Sequence, residues 1–429
     1  MSLTDNRVVI TGAGIICSLG IGREEVWNAL LSGKTGISSI KGFDVSGFEC
    51  TSAAQVKDIN PRDLGIHPRD SRIMDRHSYM LMKCARDAFS QAGLDKASIP
   101  KEDIGFFAGM GMVDYKAEDL LPSVLRSMNS MDPDNVNYDM FFTDGYREIY
   151  PLWPLSMLNN ISFCQVAISL DMRGENTVFS PHADSGAQAI AEGMQTLLDT
   201  TAQAVLAGGV SEKISPFSLA RGLFSGILNT SNDLREPACR PFAADRSGTI
   251  LGEGCGVLTL ESYKSAVERG ARCLASVTGY SFAFGSDGKF SGPSAHALGN
   301  AMQGALNRAG LKPSDIDLII AHGDGTISGD NNEIHAIHEI FADCIDKVNV
   351  FSSKAALGHL LAGAPAVDII LGISMLESGI VPPTITSSPD SSILFNLVRK
   401  PLRMNLQKIL INCQSCEGQA ASIIIEAVR

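Results

Sequence analysis

The sequence predicts an α/β fold built from two similar halves. The chain has 429 residues, which exceeds the roughly 250 to 300 residues at which one hydrophobic core stops growing. Short apolar runs alternate with helical patterns along it, as is typical of layered α/β proteins. A group of small residues in the first half also recurs at the same spacing in the second. Together these observations indicate a duplicated α/β architecture.

The predicted strands are short apolar runs bounded by glycine, and we expect each to be buried on both faces of a sheet covered by helices. They span Arg7–Thr11, Ile104–Ala108, Ala204–Ala207, Ala275–Val277, Ile316–Ala321 and Lys408–Asn412. Apolar residues at helical spacing predict the helices between them. These span Ser78–Ala92, Gly186–Leu198, Ala297–Ala309 and Ala366–Glu377.

The internal repeat consists of four small or aromatic positions in each half. Phe179-Ser180, Ala183 and Gly186 are matched at the same spacing by Phe351-Ser352, Ala355 and Gly358. Each copy lies between a buried strand and a glycine-rich helix, which strengthens a match that is modest by itself. We therefore expect an N-terminal half over residues 1–262 and a C-terminal half over 263–429, meeting near Glu261–Arg269.

One segment has no counterpart in the repeat. Residues 112–153 are acidic and rich in methionine, and Asp132-Pro133-Asp134 and Asp144-Gly145 interrupt them. A connection of this length in a compact domain is typical of a binding or capping element. We expect an interface cap around 112–153.

Charge and cysteine usage exclude several functional classes. The net charge of −12 argues against nucleic acid and anionic membranes as partners. No apolar run reaches the roughly 18 residues of a membrane span. The ten cysteines are scattered, and the N-terminus lacks a signal-peptide pattern, so we expect a cytoplasmic protein. His335 and His338 lack further ligands nearby, and we expect neither a metal nor a cofactor.

Three segments carry a family resemblance. They read RPFAADRSGTILGEGCGVLTLE (Arg240–Glu261), AHGDGT (Ala321–Thr326) and SKAALGHL (Ser353–Leu360). They resemble the motifs RPFDxxRxGFxxGEGAxxLxLE, AHGTGT and KSxxGHxxG of β-ketoacyl-(acyl carrier protein) synthases, which belong to the thiolase-like superfamily. The resemblance covers nearly the whole chain and implies the thiolase-like duplicated five-layer α/β/α/β/α architecture.

The resemblance also implies an active site that lacks its nucleophile. Family members read T-A-C-[AS]-S-G before a helix, whereas this chain has Ala183 where the reactive cysteine is expected. His322 and His359 match the two histidines that hydrogen-bond the malonyl thioester carbonyl during loss of carbon dioxide. Lys354 matches the lysine that orders the site. The decarboxylating groups are therefore expected to survive, either in use or as vestiges, without the acyl-transfer group.

Two further features bear on this site. The family's F-G-F-G-G loop, which gates the cysteine and supplies an oxyanion amide, is replaced by QSCEG at Gln414–Gly418. Asp184 and Ser185 are not expected to form a triad with His182, since neighbouring residues at a helix start point about 100° apart. We expect Asp184 and Ser185 to cap the helix Gly186–Leu198 through their side-chain oxygens.

This pattern resembles the chain-length-factor subunits, or ketosynthase β subunits, of type II polyketide synthases. It implies a noncatalytic subunit in a heterodimer with a catalytic ketosynthase, in polyketide or specialised fatty-acid assembly. Two alternatives remain: a malonyl-(acyl carrier protein) decarboxylase using His322 and His359, and a Cys-to-Ala variant of an active ketosynthase. The lost gating loop disfavours the second alternative.

Two residue groups complete the predicted site. Met110, Met112 and Phe163 are expected to set the floor of the acyl tunnel. Arg69, Arg72 and Arg76 form a basic cluster in an acidic protein. This cluster is either a solvated helix start or, as the resemblance implies, a docking site for acyl carrier protein with its phosphopantetheine-linked acyl chain.

Overall fold

The computed structural model describes residues 7–428, except 58, 70, 72–73, 113, 116, 130–131 and 232–237. Its strands are β1 (Val8–Cys17), β2 (Gly20–Ile21), β3 (Ser38–Ser39), β4 (Ser52–Ala53), β5 (Ile104–Met110), β6 (Met128–Asn129), β7 (Asp132–Val136), β8 (Asn176–Phe179), β9 (Ala204–Val210), β10 (Gly254–Ser262), β11 (Ala275–Phe284), β12 (Leu318–Ile320), β13 (Asn349–Phe351), β14 (Ile380–Val381), β15 (Asn396–Leu397), β16 (Leu402–Arg403), β17 (Lys408–Gln414) and β18 (Gln419–Glu426).

The helices are α1 (Arg23–Leu31), α2 (Arg76–Gln91), α3 (Ala117–Arg126), α4 (Tyr138–Thr143), α5 (Trp153–Met157), α6 (Asn159–Leu170), α7 (Ser185–Leu198), α8 (Pro216–Phe224), α9 (Tyr263–Glu268), α10 (Ala295–Ala309), α11 (Ile327–Ile340), α12 (Lys354–Leu357) and α13 (Ala364–Ser378). All four predicted helices are present, as α2, α7, α10 and α13, and their ends differ from the predicted ends by two residues or fewer.

The strand order repeats itself about the middle of the molecule. One half runs β1-β10-β9-β5-β8 and the other runs β11-β18-β17-β12-β13, and β1 pairs with β11 to join them. In both halves the first two pairings are antiparallel and the last two are parallel. The same topology on both sides confirms the α/β fold and supports the duplication predicted from the sequence.

The helices form the remaining layers. Helix α2 packs on β1 and β10 of one half, and α10 packs on the equivalent strands β11 and β18 of the other. Helices α7 and α13 contact each other and strands of both halves. This gives the predicted α/β/α/β/α layering. The central α13 is buried over its first twelve residues, as expected for a helix that is apolar all round.

The buried strands confirm one prediction and correct another. Strands β5, β9 and β12 are buried along their whole length, as predicted. The first strand, however, runs to Cys17 and not to Thr11. Gly12 does not end it, because a Cβ atom at this position would lie 2.0 Å from the carbonyl oxygen of Ala88. The glycine instead allows α2 to pack closely against β1.

The two edges of the sheet differ. Strand β8 ends one side, and Asn176 and Thr177 on it are exposed. At the other side β13 is covered by β15 through a parallel pairing. An uncovered edge strand has free hydrogen-bonding groups for another chain. Strand β8 thus lies at the open edge of the sheet that the described residues form.

The predicted cap around 112–153 contains α3, α4 and the small β6–β7 sheet. Several large apolar side chains are exposed in and just after this segment: Leu121, Leu125, Tyr138, Met140, Phe142, Tyr146, Tyr150, Leu152, Leu158 and Ile168. Isolated exposed apolar residues are ordinary, but a concentration of this kind is typical of a protein interface. Its role as an interface cap remains a prediction.

In the described part of the chain, one helical stretch is long and apolar enough to cross a membrane by length and composition. This stretch, Leu361–Ser378, is 78% buried inside the protein. Burial against the two halves of the sheet accounts for its apolar character, since a core helix has the same composition.

Candidate active site

A cavity of about 480 Å³ opens at the N-terminus of α7. Among the residues predicted for the site, Ala183, His322, His359 and Met112 line it. The walls come from both halves, because the α7 start faces the turns that follow β12, α12 and β17. Residues far apart in sequence are thereby brought to one place.

Ala183 is buried at the end of the turn between β8 and α7. Its carbonyl oxygen accepts a hydrogen bond from the Cys413 thiol, with Sγ at 3.3 Å. The methyl group offers no nucleophile to the cavity. Ala183 therefore supplies no acyl-transfer group, and its correspondence to the reactive cysteine of a condensing enzyme remains a prediction.

The prediction that Asp184 and Ser185 cap α7 was wrong. Asp184 already has helical backbone angles and makes no side-chain capping bond. Its carboxylate accepts a hydrogen bond from the Gln188 side-chain amide at 2.6 Å. Ser185 donates backwards to the His182 carbonyl oxygen at 2.5 Å. Capping needs an extended residue before the first turn, and Asp184 is not extended.

Two thiols near Ala183 do not replace the missing nucleophile. Burial raises the pKa of Cys416 to about 12, and the neighbouring Glu417 contributes to that rise. Burial also raises the pKa of Cys413 well above its usual value. Only the thiolate is an effective nucleophile, so both side chains stay in the unreactive thiol form at neutral pH.

His322 lies on the turn after β12, and a buried carboxylate holds that turn. The backbone N–H groups of His322 and Gly323 donate to Glu333 at 2.9 and 2.8 Å. The ring Nδ1 accepts from the backbone N–H of Gln414 at 3.2 Å. A neutral ring that accepts at Nδ1 carries its proton on Nε2, so His322 is a hydrogen-bond donor at Nε2.

His359 is held in the same way. Its Nδ1 accepts from the backbone N–H of Leu361 at 3.2 Å, which again leaves the proton on Nε2. The rings of His359 and His322 lie with their centroids 4.9 Å apart. Burial, with His322 and Lys354 nearby, lowers the pKa of His359 well below its usual value. His359 is therefore a neutral donor, as a carbonyl-binding role requires.

Lys354 lies outside the lining of the cavity and forms a buried ion pair. Its Nζ is 2.9 Å from Oδ2 of Asp368, and both side chains are almost fully buried. Ser353 donates to the other oxygen of Asp368 at 2.6 Å. Burial favours the neutral amine, but Asp368 outweighs it and raises the pKa of Lys354. The lysine thus keeps its charge.

Sequence reasoning missed Asp368 and Glu333. Each is an acidic residue in a helix with a buried face, α13 and α11 respectively. An ionisable residue inside such a stretch is rarely buried without a partner. An acidic residue on the buried face of a helix therefore indicates a buried partner. The motifs around His322, Lys354 and His359 do not contain this signal.

Asp324 adds a negative charge to the cavity. It stands where the resembled motif AHGTGT has threonine, and its Oδ2 lies 3.7 Å from Nε2 of His322. Burial opposes ionisation, but the neighbouring imidazole of His322 lowers the pKa of Asp324 below its usual value. Glu212 and Glu417 also line the cavity, and so do the cationic Arg221 and the imidazole of His182.

The predicted tunnel residues are divided between two places. Met112 is at the cavity wall, and its backbone N–H donates to Glu212 at 3.1 Å. Met110 and Phe163 lie in a hydrophobic cluster of the N-terminal half, where the Phe163 ring stacks on Phe106 at 4.3 Å. Their role in setting the tunnel floor remains a prediction.

The predicted docking arginines also differ from one another. Arg69 is exposed. Arg76 pairs with the buried Glu253 at 3.0 Å and also donates to the Val56 carbonyl oxygen, so part of its charge is used internally. Arg72 lies outside the described residues. Within the described residues, no group of three or more His, Cys, Asp or Glu side chains could hold a metal ion.

Comparisons with known proteins agree with this architecture. The model of the beta-ketoacyl synthase N-terminal domain matches residues 5–266, and that of the C-terminal domain matches residues 274–388. A 3-oxoacyl-[acyl-carrier-protein] synthase 2 from Coxiella burnetii is 28% identical, covering 98% of this chain and 99% of its own. One from Staphylococcus aureus strain COL is 30% identical, covering 92% and 91%.

Among solved structures, the ishigamide ketosynthase/chain length factor is 27% identical with a TM-score of 0.85, and 99% of each chain is covered. The match extends over both halves and therefore includes every element that lines the cavity. The chain belongs to the beta-ketoacyl synthase family.

Proposed function

We propose that the protein is a noncatalytic, chain-length-factor-like subunit that pairs with a catalytic ketosynthase in type II polyketide or specialised fatty-acid assembly. The observation that carries the proposal is Ala183 at the start of α7, with no ionised thiol beside it among the residues that the structure describes. Condensation through an acyl-enzyme needs such a nucleophile. The intact fold and cavity then serve a partner that supplies it.

The surface of the N-terminal half supports a partner chain. Strand β8 leaves the sheet edge open, and the exposed apolar residues of the predicted cap lie in the same half. A related solved structure is itself named a ketosynthase/chain length factor. Permanent interfaces usually bury more than roughly 2,000 Å² and are apolar, which suits a surface of this composition.

The first experiment measures assembly by size-exclusion chromatography with light scattering. Co-expressed with a ketosynthase that carries the active-site cysteine, the protein should elute as a one-to-one heterodimer. Phe142→Asp, at a residue with 69% exposure, should abolish that peak. Phe284→Asp is the matched control, since Phe284 is 73% exposed on β11 of the other half. Equal loss in both variants, or a heterodimer unaffected by Phe142→Asp, would contradict the proposed surface.

The chain-length role has its own test in the active heterodimer. Met112→Trp should shorten the product, because Met112 lines the cavity. Phe163→Ala and Met110→Ala should lengthen it if the tunnel reaches their cluster. Unchanged product length in all three variants would leave only a stabilising role for this subunit.

The docking proposal concerns acyl carrier protein, which is acidic. Arg69→Glu should weaken carrier binding, because Arg69 is exposed and Arg76 is partly committed to Glu253. Lys264→Glu is a control on an exposed lysine of the other half. A binding constant that responds to neither change would place the docking site elsewhere.

A second candidate, malonyl-(acyl carrier protein) decarboxylation, is favoured by one observation. His322 and His359 both present Nε2–H donors and lie close together, which suits a carbonyl whose oxygen gains negative charge. Asp324 weighs against it, since its carboxylate next to His322 repels the malonyl carboxylate. This is why the noncatalytic role is the leading proposal.

Release of carbon dioxide from malonyl carrier protein tests the second candidate. If the isolated chain is a decarboxylase, His359→Ala should abolish release, and Asp324→Thr should increase it by removing the repelling charge. No release from the wild type or from Asp324→Thr would eliminate this candidate and leave the noncatalytic role intact.

A further inference from the structure

The cavity contains a third histidine that the family motifs do not include. His182 precedes Ala183, and its Nδ1 lies 3.3 Å from Oε2 of Glu417 in the turn after β17. Both residues line the cavity and are a little over one-third exposed. His182 stands where the family pattern T-A-C-[AS]-S-G has alanine. Glu417 stands where the family loop F-G-F-G-G has its second glycine. Two departures 235 positions apart in the sequence thus contact each other.

The Glu417 carboxylate is held in place and ionised. It accepts a hydrogen bond from the Ser415 hydroxyl, and although burial opposes ionisation, this bond lowers the pKa of Glu417. A carboxylate beside Nδ1 favours the ring form with its proton on Nδ1, as in other histidine–carboxylate pairs. That form leaves a lone pair on Nε2 of His182.

His182 therefore has the opposite character to the other two histidines. Backbone N–H groups at Nδ1 make His322 and His359 donors at Nε2, whereas a carboxylate at Nδ1 makes His182 an acceptor at Nε2. One cavity thus holds a general base and two hydrogen-bond donors. A base with oxyanion donors is the arrangement required for acyl transfer to an oxygen nucleophile.

Water is the nucleophile that this arrangement fits. Ala183 leaves open the space that a larger reactive side chain would fill, and the cavity of about 480 Å³ has room for water beside a substrate. The Ser185 hydroxyl is not available, because it donates to the carbonyl oxygen of His182. The thiols of Cys413 and Cys416 stay protonated.

We propose that this cavity hydrolyses neutral acyl thioesters of the pantetheine type, an activity beyond the proposed role of a subunit that does not catalyse condensation. Nε2 of His182 takes a proton from water as the water oxygen attacks the thioester carbon. The oxyanion of the tetrahedral intermediate is bound by Nε2–H of His359, because Nε2 of His322 faces the Asp324 carboxylate. The carbon–sulfur bond then breaks, and the leaving thiolate takes the proton from His182, giving a free thiol and a carboxylic acid.

The charges in the cavity set the substrate class. Asp324 lies beside His322, so a malonyl group would bring a second negative charge next to the Asp324 carboxylate. Arg221 is already paired with Glu212 and does not offset that charge. Acetyl and longer unbranched acyl groups carry no such charge and are the substrates that the cavity accepts.

The test uses the purified full chain, alone and as the heterodimer, with S-acetyl- and S-octanoyl-pantetheine as probes. Thiol release is followed with a chromogenic disulfide, and ¹⁸O from labelled water should appear in the acid product. His182→Gln should lower the rate at least about 100-fold, the usual range for a general base. His296→Gln is the matched control, because His296 is exposed near the start of α10, and its rate should equal that of the wild type.

Glu417 is a positioning residue, and its variants separate positioning from folding. Glu417→Gln should lower kcat about tenfold or more with KM unchanged, while Glu417→Asp should recover part of the loss. Unfolding midpoints of all variants should match, since both residues are partly exposed. The proposal is overturned if wild-type thiol release does not exceed that of His182→Gln on either probe. Because neither probe can lose carbon dioxide, this result is independent of the decarboxylation test.

Discussion

The β8–α7 and β13–α12 junctions occupy equivalent positions in the two halves, and they differ in what surrounds them. The first lies at an open sheet edge and ends in the buried Ala183, with the partly exposed Pro181 and His182 before it. The second lies under β15 and contains the fully buried Lys354. The junction in the C-terminal half is therefore a charged, tightly packed site around Lys354. The N-terminal copy has a cavity wall and a free edge.

The repeated glycines show the same divergence. Gly186 has no unusual φ, but a Cβ there would lie 2.1 Å from the Ala362 carbonyl oxygen. Gly358 has a φ of +70° at the end of α12. One glycine is thus required for close packing and the other for its backbone conformation. Equal spacing in a repeat does not imply an equal physical role.

The largest effect is expected at the buried pair of the second junction. Lys354→Met should lower the free energy of unfolding by about 3 to 5 kcal/mol, because it leaves the Asp368 carboxylate buried without its partner. Urea unfolding measures this change. Lys264→Met is the control, since the Lys264–Glu268 pair is exposed and should contribute less than about 1 kcal/mol. Similar losses in the two variants would remove the contrast between buried and exposed pairs.

The next effect concerns the nucleophile of the first junction. Ala183→Cys alone should not restore condensation, because the QSCEG loop replaces the one that supplies the oxyanion amide in the family. Adding Gln414→Phe, Ser415→Gly, Cys416→Phe and Glu417→Gly should raise the rate about 100- to 1,000-fold, the usual effect of one oxyanion donor. Product formation from acyl and malonyl carrier proteins is the measurement. Full activity in the single variant would mean that the loop is not limiting.

The two glycines should respond to alanine by different mechanisms. Gly186→Ala should destabilise by about 1 to 3 kcal/mol through overpacking against Ala362. Gly358→Ala should lose about 1 to 3 kcal/mol, because its φ of 70° with ψ of 177° lies in a region that is essentially restricted to glycine. Gly358→Asn should give no rescue, since asparagine tolerates positive φ only with the left-handed helical ψ, which Gly358 does not have. If asparagine were clearly better tolerated than alanine at position 358, the backbone conformation would not be the cause of the loss.

The smallest effect is a pH dependence at His359. Its pKa is lowered in the folded state and returns toward about 6.5 on unfolding. The unfolded state therefore binds the extra proton as the pH falls below about 6.5, and stability is lost in that range but unaffected above it. The slope is at most about 1.4 kcal/mol per pH unit.

Unfolding free energies at pH 5, 6, 7 and 8 should show a smaller acid loss in His359→Gln than in the wild type. His296→Gln, at an exposed position, should keep the wild-type slope. Parallel curves for all three proteins would mean that His359 is not held neutral by burial.

Much of this was predictable from local patterns. Apolar runs and helical spacing predict the strands and helices, because burial on one or both faces demands those periods. The motifs around His322, Lys354 and His359 indicate a ketosynthase-like site, and the absence of a thiol at Ala183 is visible in the sequence alone. The N-terminal capping of helix α7 was not predictable. Asp184 and Ser185 have side chains that can cap a helix, but Asp184 already has helical backbone angles.

The sequence by itself determined the α/β class, the duplication and the presence of alanine at position 183, because each depends on residue type and spacing along the chain. Only the tertiary structure decided which side chains meet. It pairs Lys354 with Asp368 and brings Glu417 to His182. It also gives the Nδ1 atoms of His322 and His182 partners from distant parts of the chain, the Gln414 backbone N–H and the Glu417 carboxylate. Contacts between distant residues depend on how the two halves pack around α7 and α13, and that packing is a property of the whole fold.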